Sequence, residues 1–155
     1  MIDTFIARYT PALATQIRGA RGKLRKKFPR GYELVYDNYN ALVFAFGPTQ
    51  KLSDLVLSIA AYPKWVSLFF ARGKSLPDPM KLLKGSGSQI RHVVLTSPED
   101  LDSAPIRALI AHALKPHAKV FPAAPKLTTE IRSISAKQRP RRPAVTSTAR
   151  SSPRG

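Results

Sequence analysis

The stretch "YELVYDNYNALVFAFGPTQKLSDLVLSIAAYPKWVSLFF", residues 32–70, decides the fold. It holds four apolar runs, "YELVYD" (32–37), "ALVFAF" (41–46), "DLVLSIAAY" (54–62) and "WVSLFF" (65–70), parted by "NYN", "GPTQK" and "PK". Alternating or solid content of β-branched and aromatic residues marks each run as a strand, and the Gly, Pro and Asn between them are turn formers. Connections this short join only antiparallel neighbours, so the runs predict a four-strand meander. The second and fourth are apolar at both parities, as suits central strands or strands with one face under helices and the other partly covered.

Working outward, the period changes to that of helices. Residues 2–8 suit a short amphipathic turn. Thr10 offers a hydroxyl to an orphan amide, and Pro11 stands where its missing donor does no harm, so a helix starts there. Leu13, Ile17, Ala20, Leu24 and Phe28 recur at spacings of three and four and make one buried face, which Pro29 and Gly31 end. Gly19 and Gly22 inside this helix each cost about 1 kcal/mol relative to alanine, so it depends on packing, and a close approach by another element is what such glycines permit. Beyond the meander, Asp78 and Pro79 predict a short helix through Leu82 and Leu83, capped by Gly85 in the left-handed conformation. "HVVLT" (92–96) reads as a fifth strand. Ser97, Pro98, Glu99 and Asp100 open a last helix whose apolar face is Ile106, Leu109, Ile110 and Ala113, closed by Pro116. The expected architecture is α+β and two-layered, an antiparallel sheet of about five strands packed by N- and C-terminal helices over residues 1–115. Past Pro116, "AKQRPRRPAVTSTARSSPRG" (136–155) holds almost no large apolar side chains, too few to offset the entropy of ordering, and residues 116–155 read as a disordered basic tail rich in Pro, Ser and Arg.

The chain has 155 residues, no cysteine, and a net charge of +17. Without cysteine there are no disulfides, no cysteine-ligated zinc and no thiol nucleophile, which fits a reducing compartment. The first residues lack the apolar core of a signal peptide, and the apolar runs are strand-sized, so a soluble cytoplasmic protein with no membrane contact is expected. From Lys115 onward there are ten Lys and Arg against one acid, Glu130, so over half of the excess charge lies in the last quarter of the chain.

Three segments in order, "YDNYNALVFAFGP", "YPKWVSLFFARGKSLPDPMKLLKGSGSQIRHV" and the acidic helix start that follows, make residues 2–114 resemble the YdhG-like domain family, a bacterial group regarded as a domain of unknown function. The resemblance implies a frataxin-like fold, helices on an antiparallel sheet, and one branch of the family is described as an intracellular iron chaperone.

Candidate sites follow from the residues. In "LLKGSGSQIRH" (82–92), Gly85 and Gly87 frame a turn whose amides can make an anion nest, with Arg91 and His92 beside it. It lacks the spacing of a Walker loop or a dinucleotide fingerprint, and a helix cap plus a turn explains it without a ligand. Asp37, Asn38 and Asn40 suit a turn between strands, while Tyr36 and Tyr39 with Trp65 can line a shallow pocket at one end of the sheet. The small-ligand or anion site is therefore sought among Tyr36, Asp37, Asn38, Tyr39, Trp65, Gly85, Gly87, Arg91 and His92. Iron needs hard oxygen ligands, and Glu99, Asp100 and Asp102 form the only local acid cluster, though acids are expected at a helix start. No cofactor other than iron is suggested. Arg18, Arg21, Arg25, Lys26, Lys27 and Arg30 predict a cationic outer helix face which, with Arg139, Arg141 and Arg142 in the tail, attracts polyanions such as nucleic acid without reading base sequence. No strained nucleophile elbow or paired histidines point to catalysis. The first expectation is a noncatalytic ligand-binding or accessory domain; iron handling and nucleic-acid association are the alternatives.

Overall fold

The computed structural model describes residues 1–144. α1 (Ile2–Ala7) leads into α2 (Pro11–Lys27), where the Thr10 hydroxyl accepts a hydrogen bond from the Leu13 amide at 3.3 Å. Leu13, Ile17, Ala20 and Leu24 of α2 are buried. The close approach foreseen for its glycines occurs at one of them. A Cβ on Gly19 would lie 2.7 Å from Pro98 Cγ, whereas one on Gly22 would meet nothing within 4 Å.

The meander forms as β1 (Tyr32–Asp37), β2 (Leu42–Gly47), β3 (Leu57–Ala61) and β4 (Val66–Phe70), joined antiparallel by β5 (Arg91–Leu95). Its register puts Val35, Phe44, Ile59 and Leu68 in one row on one face. That face meets α1, α2 and α3 (Ala104–Leu114) in the hydrophobic core, where Phe44, Phe46 and Phe70 are fully enclosed. Burying each such ring stabilises the fold by roughly 1.5–3 kcal/mol. Residues of the other parity, among them Leu34, Ala45 and Ala60, lie outside that cluster. Before α3 the chain makes a 3-10 turn at Pro98–Asp102, closed by a reciprocal capping box between Ser97 and Asp100.

Three expectations are corrected. The short helix through Leu82 and Leu83 does not form. Asp78 instead takes the amides of Leu82 and Leu83 on its two carboxylate oxygens, both at 2.9 Å, and Lys81 stands at φ +52°, so the chain makes a turn. Gly85, at φ +127°, holds the following corner rather than a helix end. The sheet, secondly, has six strands and is mixed: β6 (Thr128–Ile134) runs parallel to β1 in the order β5-β4-β3-β2-β1-β6. Thirdly, residues 116–144 are not a disordered tail. They pass through 3-10 turns at Lys115–His117 and Phe121–Ala123, add β6, and return Arg141 to the interior at 4% exposure. Phe121 packs on Phe28 and Leu127 on the core, and beyond them backbone pairing with the free edge of β1 and an ion pair with a buried carboxylate do the ordering. The part of that expectation falling on residues 145–155 lies outside the described residues.

Candidate functional site

The end of β1 carries Asp37, whose side chain is buried at 1% exposure. Its Oδ2 accepts from Arg8 Nη1 at 3.2 Å and its Oδ1 from Arg141 Nη2 at 2.9 Å. The Arg141 guanidinium also donates to the carbonyls of Asn38 and Tyr39, at 2.5 and 3.2 Å, and its buried Nε has no hydrogen-bond partner among the described residues. Gln138 accepts from Arg8 and donates to the Asp37 carbonyl, and Arg142 Nε reaches the Arg8 carbonyl at 3.0 Å. Beneath them, the Tyr9 hydroxyl donates to the Ala61 carbonyl at 2.7 Å, and burial pushes its pKa up to about 12, so it stays a proton donor.

This network fastens the returning chain against the turn between β1 and β2 and the end of α1, across from the tight turn between β3 and β4. There Tyr62 and Trp65 stack with ring centroids 4.8 Å apart, and the Tyr62 amide donates to the Trp65 carbonyl at 2.8 Å, which leaves Pro63 and Lys64 at the tip. Between the two segments lies an open groove of about 860 Å³, lined by Asn40, Tyr62, Lys64, Trp65, Arg139 and Arg142 among others. Trp65 is 42% exposed, and the Arg139 guanidinium lies 5.9 Å over the Tyr39 ring. Aromatic faces and guanidinium or ammonium groups thus share one surface, with no acid among the lining residues.

The predicted residues divide between the two ends of the sheet. Trp65 lines the groove, Tyr39 lies under the Arg139 guanidinium that lines it, and Asn38 supplies a carbonyl to Arg141. Tyr36 lies within β1, half-buried, and Asp37 is buried in ion pairs with Arg8 and Arg141. Gly85, Gly87, Arg91 and His92 belong to the opposite end of the strands, about 13 Å away along the strand direction at about 3.3 Å per residue. Arg91 donates to the carbonyls of Gly87 and Ile90, at 2.7 and 2.8 Å, so its guanidinium closes its own loop. His92 pairs through its backbone with Lys84, and its ring rests 5.1 Å from that of Phe69. The loop at 82–92 turns a corner.

The acid cluster is likewise engaged. Asp100 Oδ2 accepts from the Thr96 amide and hydroxyl at 2.7 and 2.8 Å, and Asp102 pairs with Lys23 Nζ at 2.5 Å. Among the described residues no three His, Asp or Glu gather as a metal site. On α2, Arg18 and Lys26 are exposed, and Arg30 donates to the Ala124 carbonyl at 2.8 Å. Arg21 and Arg25, expected on the outer face, turn inward. Arg21 makes bonds of 2.7 and 2.9 Å to the two oxygens of Glu33, and Arg25 joins one of them together with the Thr129 hydroxyl. Burial alone would raise the Glu33 pKa, but the bonds from Arg21 and Thr129 hold it below the usual carboxylate range.

Sequence reasoning placed an aromatic pocket at this end of the sheet but missed Tyr62, Lys64 and Arg8. The first two were legible in "YPKW", where a Pro-Lys turn holds two aromatic residues close enough to stack. Arg8 carries no such local signal. No family model, no curated protein and no solved structure matches this chain.

Proposed function

We propose that the chain is a noncatalytic accessory domain that holds single-stranded nucleic acid in the groove beside Trp65. The observation that carries this reading is the Tyr62–Trp65 stack facing Lys64, Arg139 and Arg142. A base offers a π-face to an aromatic ring whatever its sequence, and its phosphates meet the cations around it. The rest of the molecule favours such a partner, because most of its nine acids are engaged within the fold, Asp3 and Glu99 being exposed. Glu33 and Asp37 are buried in ion pairs, Asp78 and Asp100 bind backbone amides, and Asp102 and Glu130 pair with Lys23 and Arg132. With 26 Lys and Arg against nine acids, the net charge of +17 dominates the field around the molecule. The resemblance to YdhG-like domains, and through them to the frataxin-like arrangement of helices on a sheet, agrees with a binding role in the cytoplasm and is silent on the ligand.

Trp65 is the sole tryptophan, so its emission reports on the groove alone. Titration of the full chain with an oligothymidine of about 15 nucleotides should quench that emission saturably. Three phosphate contacts predict a slope of log K against log salt near about −2. In anisotropy with a labelled oligonucleotide, Trp65→Leu should weaken binding by roughly ten- to a hundredfold, and the Arg139→Ala, Arg142→Ala double variant should flatten the salt slope. Binding that leaves Trp65 emission unchanged, or that Trp65→Leu does not weaken, would overturn the proposal.

A further inference from the structure

The opposite end of the sheet holds a second cavity, of about 400 Å³, between the segment that follows β4 and the C-terminal end of α3. Its apolar floor is Leu55, Val56, Phe70 and Leu76, and its walls bring together Arg72, His112, Lys115 and His117. Local structure explains the convergence. α3 stops at Leu114, and Pro116, which has no amide to donate, tightens the chain into the 3-10 turn Lys115–His117, so that Lys115 and His117 come round to the side that His112 already faces.

Arg72, His112 and Lys115 are exposed and His117 is half-buried at the cavity mouth, and they lack the carboxylate partners that other arginines of the molecule have. Arg8, Arg21, Arg25 and Arg141 each meet a carboxylate. Among the described residues, no hydrogen bond or ion pair is made by the side chains of Arg72, His112, Lys115 or His117, and no acid lines the cavity. The acid acting on His117 is Asp54, whose Oδ2 accepts from the Thr49 hydroxyl at 2.6 Å. We infer that this cavity binds a small organic anion, a carboxylate or phosphate monoester on a compact apolar or aromatic body, with the body against Phe70 and Leu76 and the anionic group among Arg72, Lys115 and His117. The volume lies within the range of small-molecule sites, and an apolar floor with a few convergent polar groups is their usual chemistry.

Burial lowers the His117 pKa, and repulsion from Arg72 lowers it further against a weaker pull from Asp54. Without a ligand His117 is thus mostly neutral near pH 7. An anion favours its protonated form, so binding takes up a proton and strengthens as pH falls. The charged and titratable groups facing it are Arg72 and Asp54 from the sheet side and His112 and Lys115 from α3 and the turn that follows it.

The test uses the full chain with benzoate and phenyl phosphate as probes, and inorganic phosphate and benzyl alcohol as the anionic and apolar halves alone. Benzoate at ten times its Kd should raise Tm by about 4 °C, and it should bind roughly tenfold tighter at about pH 5.5 than at about pH 8. The His117 ring resonance, one of three histidine signals, should titrate at higher pH with benzoate than without. Arg72→Ala should weaken benzoate at least tenfold and His117→Gln should abolish the pH dependence, while each half-probe binds more weakly than its whole. The inference is overturned if benzyl alcohol stabilises as well as benzoate, if Arg72→Ala binds unchanged, or if neither anionic probe at about 10 mM shifts Tm or the His117 signal. Trp65 lies at the other end of β4, so a failure here leaves oligonucleotide binding as it was.

Discussion

The two ends of β1 each bury a carboxylate, yet they recruit their arginines from different places. Glu33 takes Arg21 and Arg25, 12 and 8 residues away on the helix that precedes the strand. Asp37 takes Arg8, 29 residues before it, and Arg141, 104 residues after it. The first cluster is a local closure between α2 and the sheet. The second is a staple joining the two ends of the described chain, and it positions Arg139 and Arg142 beside the Trp65 groove. One motif, a buried acid between two guanidinium groups, thus secures the core at one end and assembles a candidate binding surface at the other.

The comparison breaks most visibly at Glu33. Removing one partner of a buried ion pair leaves charge without compensation, at a cost of 3–5 kcal/mol in deeply buried cases. Arg21 and Arg25 are 21% and 36% exposed and can reach water, so Glu33→Ala should cost near the lower end, about 3 kcal/mol in urea unfolding. The sign of its pH dependence follows from the lowered pKa. The stability that Glu33 contributes is full above the unfolded-state value near about 4.3 and is lost as pH falls through the lower folded-state value. Glu33→Gln should therefore remove part of the acid sensitivity of the fold, and an unchanged acid limb would contradict the ion-paired reading of this cluster.

At Asp37 the same operation should act locally. Arg141→Ala leaves Arg8 on the carboxylate, so global stability should fall by about 2 kcal/mol or less. Hydrogen exchange, however, should accelerate selectively in residues 135–144 and along β6, because the staple and not an apolar core holds them. The same variant should weaken oligonucleotide binding although Arg141 does not line the groove. Uniform acceleration across β1 to β4 would mean that the returning segment is as integral to the fold as the meander.

The difference between the clusters also explains what the sequence disclosed. The meander, the fifth strand and the buried stripe of α2 were legible because each is written in local periodicity. Arg21 was legible too in principle. It sits between Ile17 and Leu24 on the helical wheel, 4 and 3 residues away, so its side chain shares their face; counting it among a cationic outer surface ignored that position. β6 was not legible. "TTEIRSI" has little apolar content, and its order comes from a parallel partner about a hundred residues earlier and from Asp37, a residue whose neighbours Asn38 and Asn40 made it look like turn chemistry. Long-range pairing of polar groups leaves no periodic trace. The candidate site inherits this split: its aromatic half was visible in sequence, and its cationic half depended on the return of the chain.

The smallest predicted effect separates the two glycines of α2, the helix that delivers Arg21 and Arg25. A methyl group on Gly19 would press on Pro98, whose ring is held by the Ser97–Asp100 capping box, so the helix and not the turn must give way. Overpacking of that kind costs about 1–3 kcal/mol, against a gain of about 1 kcal/mol in helix propensity. Gly19→Ala should thus be destabilising by about 1 kcal/mol and should loosen the Glu33 cluster, which rides on the same helix. Gly22 has open space around its missing Cβ, so Gly22→Ala should raise stability by about 0.5–1 kcal/mol. Neither change touches Asp37 or Arg141, and exchange in residues 135–144 should be the same in both variants as in the parent chain. Opposite signs in urea unfolding, with that segment unaffected, would show the two carboxylate clusters to be energetically separate; equal signs would mean that α2 is not seated against Pro98.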